Sequence, residues 1–228
     1  MTRAPEEQEL IRARMNMVEH QVRTRGVLDA RVLDAMADVP RHEFVPQRNR
    51  SLSYDDTPLP IGGGQTISQP YMVAMMLEAL ELRGDEKVLD VGTGSGYQAA
   101  LLGRLGREVI SIEIVPKLAK NAQKTLIRLG YANVRVLVGD GSVGWPAEAP
   151  YDAIVVAAGS PRVPAPLLDQ LADRGRLVIP VGEPTDQRLL RVRNQNRVIE
   201  TQPLAWCEFV PLVGRAGWAS RLLSRSTA

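Results

Sequence analysis

Val88-Leu-Asp-Val-Gly-Thr-Gly-Ser-Gly96 joins a short apolar strand to a glycine-rich turn. The run from Lys87 to Val91 is typical of a buried strand, and the next helix is predicted from about Gly96 to Leu105. Glycines between a strand and a helix allow a tight turn and let a ligand reach the backbone without meeting a Cβ atom. The candidate cofactor-binding residues here are therefore three glycines: Gly92, Gly94 and Gly96.

The spacing of these glycines, G-x-G-x-G, differs from the dinucleotide fingerprint G-x-G-x-x-G. This difference argues against a nicotinamide dinucleotide. Asp90, just before the turn, is placed to accept hydrogen bonds from a ligand that carries an ammonium and a sulfonium group. The pattern favours S-adenosyl-L-methionine as the cofactor, with S-adenosyl-L-homocysteine as its product.

Two more acids end the next two predicted strands. Glu113 closes the strand from Glu108 to Glu113, where an acid can accept both hydroxyls of a ribose. Asp140, beside Gly141, follows the strand from Val134 to Val138 and is placed to accept an adenine amino group. Because open α/β sheets bind ligands at the carboxyl ends of their strands, these acids predict one cofactor crevice with Asp90.

Strands and helices alternate on both sides of this stretch. Beyond the strands already named, the pattern predicts helices from Pro116 to Gly130 and Ala165 to Leu171, and strands from Ala153 to Ala157 and Gly175 to Val181. Two late strands, Arg188 to Arg193 and Trp206 to Leu212, are predicted to form a C-terminal hairpin. We therefore expect an α/β fold with a doubly wound, Rossmann-like, mostly parallel sheet, the class I methyltransferase core.

The N-terminal part has a different pattern. Apolar spacing predicts helices from Glu6 to about Arg23, from Asp29 to Ala37 and from Tyr71 to Leu82, with a long loop from Pro40 to Pro70. The expected organisation has three parts: residues 1–82 form a helical cap and substrate loop, 83–214 the cofactor-binding core, and 215–228 a tail, frayed from Arg221 to Ala228.

The composition narrows the class of protein. The chain has 228 residues, 44% of them hydrophobic, and a net charge of +2, so it demands no polyanionic partner. A lone cysteine, Cys207, excludes an intramolecular disulfide and, without an opening signal segment, favours a cytoplasmic location. Two histidines and one cysteine predict no metal site. No apolar run approaches the roughly 20 residues of a membrane-spanning helix, so we expect no membrane partner.

The segment after the fourth strand bears on the identity of the methyl acceptor. Methyltransferases acting on base amino groups place an Asn/Asp-Pro-Pro-aromatic motif there, whose ring stacks on the flipped base. This chain has Ala157-Ala-Gly-Ser-Pro-Arg162 instead, and only two Phe, five Tyr and three Trp in all. The sequence therefore disfavours a nucleobase and predicts no nucleic-acid partner.

Several segments resemble the protein-L-isoaspartate (D-aspartate) O-methyltransferase family over roughly residues 10 to 214. The most specific is Pro58-Leu-Pro-Ile-Gly-Gly-Gly-Gln-Thr-Ile-Ser-Gln-Pro70. The others are Gln21-Val-Arg-Thr-Arg-Gly26, Val39-Pro-Arg-His-Glu-Phe-Val-Pro46, Val88 to Tyr97, Val138-Gly-Asp-Gly-Ser142, Gly175-Arg-Leu-Val-Ile-Pro-Val-Gly182 and Phe209-Val-Pro-Leu-Val-Gly214.

The resemblance implies methyl transfer from S-adenosylmethionine to the free carboxylate of L-isoaspartyl residues in damaged proteins, with D-aspartyl residues as further candidates. The ester then closes to a succinimide and reopens as aspartate, which repairs the chain. The resemblance also makes Ser68 the catalytic hydroxyl and implies that the last two strands are switched relative to most methyltransferases. It assigns cofactor contacts to Gln65, Thr66, Ile67 and Ser68, and substrate contacts to Thr66, Ile67, Ser68 and Val213.

Two other interpretations of the same core remain open: a methyltransferase acting on a nucleic acid or small molecule, and a non-catalytic cofactor-binding module. One departure bears on the loop from Pro58 to Pro70, because many family members have an aromatic residue where this chain has Gly63. The partners expected under the favoured interpretation are isoaspartyl proteins and peptides, and the expected state is a monomer. His20, His42 and Cys207 are interpreted as structural or surface residues.

Overall fold

The computed structural model describes residues 3–219, with side chains from residue 6 onward. The tail predicted from Arg221 to Ala228 lies outside this range. The helices are α1 (Arg3–Asn16), α2 (Ala30–Asp38), α3 (Pro70–Ala79), α4 (Tyr97–Leu105), α5 (Pro116–Arg128) and α6 (Ala165–Asp169). The strands are β1 (Leu59–Gly62), β2 (Gln65–Ile67), β3 (Lys87–Val91), β4 (Glu108–Glu113), β5 (Val134–Val138), β6 (Tyr151–Val156), β7 (Leu171–Glu183), β8 (Asp186–Gln195) and β9 (Val198–Cys207).

Seven strands form one sheet in the order β5-β4-β3-β6-β7-β8-β9. Neighbours from β5 to β7 are parallel, whereas β7, β8 and β9 pair antiparallel in chain order. The central strands β3, β4 and β6 are apolar and almost wholly buried, as expected for a sheet covered on both faces. The predicted doubly wound α/β fold is confirmed.

The C-terminal hairpin is confirmed, but the bounds predicted for its second strand are wrong. That strand is β9, Val198–Cys207, and not Trp206 to Leu212. It begins directly after the turn at Asn196 and Arg197, both of which have positive φ. Because β9 pairs with β8 alone and lies largely exposed, its polar residues and Pro203 hide the apolar alternation that marks an interior strand.

The long loop predicted from Pro40 to Pro70 is also wrong in part. It contains two 3₁₀ turns, Arg41–Phe44 and Gln47–Leu52, followed by an antiparallel hairpin of β1 and β2. The hairpin turns on Gly63 and Gly64, whose φ angles of +62° and +70° suit a two-residue turn of the mirror-image type. A run of three glycines beside prolines therefore encodes a hairpin at this position.

The N-terminal segments pack onto the sheet. Helix α1 continues into a π-helical turn, Met17–Val22, whose Met17 and Val22 are fully buried. Helix α2 is capped by Asp29, whose carboxylate accepts hydrogen bonds from the amides of Arg31 and Val32. Side chains from these segments belong to the same hydrophobic cluster as residues of β3, α4 and β6. Among residues 3–219, no helix has the length and apolar character needed to cross a membrane.

Candidate active site

A pocket opens at the carboxyl ends of β3, β4 and β6, at the edge where the sequence predicts the cofactor crevice. It encloses about 820 Å³ of empty space, part of it open to solvent. We call it the cofactor pocket. Its lining consists of Gln65 to Ser68, Val73, Val91 to Ser95, Tyr97, Gln98, Ile112 to Ile114, Gly141, Ala157, Ala158 and Val210 to Val213.

The glycine turn forms one wall of this pocket. The amides of Gly92 and Thr93 both donate to the carbonyl of Ile112, which ties the turn to the end of β4. Gly94 has a φ of +53°, and a Cβ atom there would lie 3.4 Å from Ile61 Cδ1 of β1. The turn and the hairpin therefore approach closely at a position that favours glycine.

Gly96 serves the helix that follows the turn. Its φ is +91°, and a Cβ atom there would lie 3.2 Å from the Cβ of Ala122 on α5. It does not line the pocket, unlike Gly92 and Gly94. Gly96 therefore lies at a close contact between the start of α4 and α5. Any effect of Gly96 on cofactor binding is exerted through the packing of these helices.

Glu113 lines the pocket and bridges two loops. Its Oε2 accepts a hydrogen bond of 2.8 Å from the amide of Gly94, and its Oε1 accepts one of 2.9 Å from the amide of Val115. Each carboxylate oxygen has a second lone pair, so Glu113 retains the capacity to accept from two ligand hydroxyls. This geometry fits the ribose role predicted for it.

Asp90 lies behind the pocket wall and is fully buried. Its carboxylate accepts hydrogen bonds from Gln98 Nε2 at 2.9 Å and from Ser111 Oγ at 2.6 Å. Burial raises the pKa of Asp90 to about 6, while these two hydrogen bonds act in the opposite direction. Gln98 lines the pocket. Asp90 therefore acts on the pocket indirectly, because its carboxylate orients the Gln98 side-chain amide.

Asp140 is engaged by the C-terminal segment. Its Oδ1 accepts from the amide and the hydroxyl of Ser142, and its Oδ2 accepts from the amide of Arg215 at 2.8 Å. Asp140 does not line the pocket, but Gly141 does. The structure therefore places the predicted adenine acceptor at the junction between β5 and residues 214–216.

The loop after β2, formed by Ser68 and Gln69, brings Ser68 to the boundary between two cavities, and we call it the acceptor loop. Thr66, Ser68 and Ala157 line the cofactor pocket and also a neighbouring groove. We call this the acceptor groove; its lining includes Arg25, Tyr71, Met72, Met75, Trp206 and Phe209. Within residues 3–219 the Ser68 hydroxyl has no hydrogen-bond partner, whereas the Ser68 carbonyl accepts from Arg41 Nη2 at 2.8 Å. The hydroxyl is therefore not tied to its own backbone.

Of the predicted site residues, the structure brings together Gln65, Thr66, Ile67, Ser68, Gly92, Gly94, Glu113, Gly141 and Val213 around one pocket. Sequence reasoning missed the apolar and small residues Ile112, Ile114, Ala157, Ala158 and Val210 to Leu212. Ile114, Ala157 and Ala158 directly follow strand ends, and this position in the sequence is a signal that could identify them as pocket residues. Val210 to Leu212 belong to the C-terminal part of the chain, and no local sequence pattern predicts that they line the pocket.

The remaining candidates have structural surroundings. His42 is buried and its Nδ1 is 2.6 Å from the Tyr54 hydroxyl, whereas His20 is exposed. Cys207 is half-buried at the end of β9, and burial raises its pKa to about 11, which leaves the thiol protonated at neutral pH. No group of metal-ligating side chains is found in residues 3–219.

The lining fits S-adenosylmethionine better than a dinucleotide. In the described part of the chain, Glu113 is the only charged side chain that lines the pocket. A pyrophosphate would find no lysine or arginine there, whereas a nucleoside with a cationic sulfonium arm meets carboxylate oxygens and an apolar wall.

Comparison with known proteins gives consistent matches. The model of the protein-L-isoaspartate(D-aspartate) O-methyltransferase family matches residues 12–217. A protein-L-isoaspartate O-methyltransferase of Methanoculleus marisnigri is 54% identical over 207 residues, covering 91% of this chain and 94% of the relative. Protein-L-isoaspartate O-methyltransferase 1 of Syntrophobacter fumaroxidans is also 54% identical, over 91% of this chain and 97% of its own.

Two solved structures extend this similarity to the whole fold. A protein-L-isoaspartate O-methyltransferase superposes with a TM-score of 0.81 at 30% identity, covering 93% of this chain and 68% of that chain. A Plasmodium falciparum protein-L-isoaspartate O-methyltransferase in complex with S-adenosyl-L-homocysteine has a TM-score of 0.77 at 28% identity, covering 88% of this chain and 98% of that chain.

Proposed function

Because the chain belongs to the protein-L-isoaspartate(D-aspartate) O-methyltransferase family, we propose that the cofactor pocket and the loop bearing Ser68 methylate isoaspartyl residues. The chain is an S-adenosylmethionine-dependent protein carboxyl O-methyltransferase. Its acceptor is the free α-carboxylate of L-isoaspartyl residues in damaged proteins and peptides, and D-aspartyl residues are a second acceptor in this proposal. The backbone amide nitrogen of the following residue then attacks the methyl ester and expels methanol, which forms a succinimide that water reopens in part as normal aspartate.

The observation that supports this assignment of residues is the shared boundary of the two cavities. Thr66 and Ser68, together with Ala157, Val210 and Pro211, line both the cofactor pocket and the acceptor groove, so a peptide in the groove meets the cofactor beside this loop. S-adenosylmethionine, when bound, supplies an electrophilic methyl group. We assign its binding to Gln65 to Ser68, Gly92, Gly94, Glu113 and Gly141 directly, and to Asp90, Gly96 and Asp140 through the groups that they hold.

The site does not need a general base. A peptide α-carboxylate has a pKa near 3.5, so the acceptor is ionised at neutral pH and is already nucleophilic. The tasks left to the protein are to orient one carboxylate oxygen at near-attack distance and to keep water out. Strand β2 and the segment Val210 to Val213 both line the pocket, and we assign the second task to them.

We assign the first task to Ser68, with Thr66, Ile67 and Val213 as further substrate contacts. A hydroxyl can donate one hydrogen bond to a carboxylate oxygen without competing as a strong base. We expect Ser68→Ala to bind S-adenosylhomocysteine as the wild type does and to lose about 10² in kcat on an isoaspartyl peptide. Ser51→Ala, an exposed serine on the preceding turn, is the matched control. Unchanged turnover in Ser68→Ala would remove the hydroxyl from the mechanism.

The activity itself is tested with two peptides that differ only in Asp versus isoAsp at one position. The enzyme and methyl-labelled S-adenosylmethionine are expected to label the isoAsp peptide alone. Equal labelling of both peptides, or of neither, would contradict the proposed acceptor. The alternative of a nucleic-acid or small-molecule acceptor predicts no labelling of either peptide.

We further propose that the enzyme works as a monomer in the cytoplasm, without nucleic-acid or membrane partners. A net charge of +2 gives no strong attraction to polyanions, and a single cysteine suits a reducing compartment. Gel filtration with light scattering tests the monomeric state, for which a mass near 25.0 kDa is expected.

A further inference from the structure

The acceptor of the proposed reaction is an anion, yet the cavities around it offer it little positive charge. In the described residues, the cofactor pocket is lined by no lysine or arginine. Among the residues that the structure describes, Arg25 is the one cation lining the acceptor groove; it is paired with Asp56 and stacks on the Tyr71 ring at 3.5 Å. Glu208 adds a negative charge to the same groove.

One cation lies directly behind the acceptor loop. Arg41 is fully buried, and its Nη2 donates to the Ser68 carbonyl at 2.8 Å while its Nε donates to the Ser53 carbonyl at 2.7 Å. Its guanidinium carbon is 4.9 Å from the centre of the Tyr97 ring. Ser68 and Tyr97 both line the cofactor pocket, so Arg41 spans from the acceptor loop to the helix after the glycine turn.

Arg41 forms no ion pair with a carboxylate within residues 3–219, although the Asp56 carboxylate acts on its charge through space. Its hydrogen-bond acceptors are backbone carbonyls, it forms no salt bridge within residues 3–219, and its Nη1 has no partner there. Burial lowers the pKa of Arg41 to about 10, so the guanidinium stays protonated at neutral pH. A buried charge without an ion-pair partner is costly and is screened little by salt, so its field reaches nearby groups.

We propose that Arg41 is a specificity-determining positioning residue: it fixes the Ser68 loop through the Ser68 carbonyl and supplies the positive potential that selects an ionised carboxylate as acceptor. This inference rests on the proposed function. It explains how a site whose described lining holds no cation but the paired Arg25 accepts an anion. It also distinguishes the isoaspartyl carboxylate from a neutral carboxamide of the same shape.

The test compares two peptides bound to the enzyme saturated with S-adenosylhomocysteine. One carries isoaspartate, and the other carries its uncharged α-carboxamide, isoasparagine. Because S-adenosylhomocysteine has a neutral sulfur, the cofactor adds no sulfonium charge to the discrimination. The measured quantity is the ratio of the two dissociation constants. We expect the wild type to favour the isoAsp peptide by at least about tenfold.

Two substitutions separate charge from structure. Arg41→Gln is expected to reduce the ratio to less than about threefold, and Arg41→Lys to retain it because the charge remains. Arg48→Gln, which removes an exposed arginine from the neighbouring turn, controls for the change in net charge and is expected to match the wild type. If the role of Arg41 were purely structural, Arg41→Gln would weaken the binding of both peptides equally and leave the ratio of their dissociation constants unchanged.

The proposal is overturned if Arg41→Gln keeps the wild-type ratio, or if the wild type shows no preference. Should Arg41→Gln not fold, as judged by circular dichroism, a collapse of the ratio in folded Arg41→Lys would overturn it equally. Failure of the proposed function is distinguishable, because it appears as a lack of methyl transfer from S-adenosylmethionine to the isoAsp peptide by the wild type.

Discussion

Asp90 is a fully buried carboxyl group at the start of the glycine turn, and its surroundings give the fold a specific pH dependence. Burial raises its pKa to about 6 from an ordinary value of 3.8. The folded chain therefore holds this proton more tightly than the unfolded chain. The resulting stabilisation is complete below about pH 4 and is lost as the pH rises through about 6.

Asp90→Asn should remove this dependence because the side chain stays neutral at every pH. Between pH 4 and pH 7 we expect the free energy of unfolding of the wild type to fall by about 2.5 kcal/mol relative to Asp90→Asn. Urea unfolding at a series of pH values measures this difference. Asp85→Asn, at an exposed position, should instead stay parallel to the wild type. Parallel curves for Asp90→Asn would show that its pKa is not raised.

At the residue scale, the sequence identified the site residues whose types carry their own chemical signal. Gly92, Gly94 and Glu113 were predicted from their positions after strands, and all three line the pocket. Ser68 came only from the family resemblance, because a serine in a loop is usually bound to its own backbone. The sequence does not identify Arg41 as a site residue, because nothing in Pro40-Arg-His42 distinguishes a buried arginine from a surface one. Its burial follows from carbonyls at Ser53 and Ser68, which only the folded chain brings together.

At the element scale, the hairpin of β1 and β2 links the acceptor loop to the glycine turn. Its turn residues Gly63 and Gly64 both have positive φ, which costs about 1–2 kcal/mol for most other residues. A Cβ atom at Gly63 would meet only ordinary contacts, 3.8 Å from Leu118 and Val115. The requirement at this position is therefore for the backbone conformation and not for space.

A matched pair of substitutions at Gly63 tests this requirement. Asn adopts the left-handed conformation at small cost, whereas β-branched Val does not. Because residues of β2 line the cofactor pocket, we expect Gly63→Val to weaken S-adenosylhomocysteine binding about 5- to 30-fold and Gly63→Asn to remain within about threefold of the wild type. Isothermal titration measures both. Equal affinities for the two variants would mean that the hairpin does not shape the pocket.

The strands show which elements a sequence encodes locally. The sequence predicts two interior strands with the observed bounds, Lys87 to Val91 and Glu108 to Glu113. This is possible because interior parallel strands are short, continuous apolar runs. Strand β9 was misplaced because it is an edge strand: Glu200, Thr201 and Gln202 satisfy its pairing with β8 but carry no apolar alternation. An edge strand that pairs with one neighbouring strand is therefore harder to predict from the sequence than an interior strand buried between two.

At the scale of the whole molecule, the division into a cap of residues 1–82 and a core of residues 83–214 remains a prediction. The packing bears on whether these parts unfold separately. Helix α2 contacts both α3 and α4, and its Leu33 is 2% exposed within the same hydrophobic cluster as Val88 and Ala99 of the core. Two regions that share one cluster are expected to unfold in a single cooperative transition.

The tryptophans allow a direct measurement of this coupling, because Trp145, Trp206 and Trp218 all lie beyond residue 82. Leu33→Ala removes buried atoms from the cap alone and should cost about 2–5 kcal/mol. If cap and core are one cooperative unit, the transition followed by tryptophan fluorescence shifts by that full amount and coincides with the transition followed by far-ultraviolet circular dichroism. Leu28→Ala, at a site 70% exposed in the preceding loop, should shift neither by more than about 0.5 kcal/mol. An unmoved fluorescence transition in Leu33→Ala, with an earlier loss of helical signal, would instead establish the cap as an independent domain whose packing on the core contributes little to its stability.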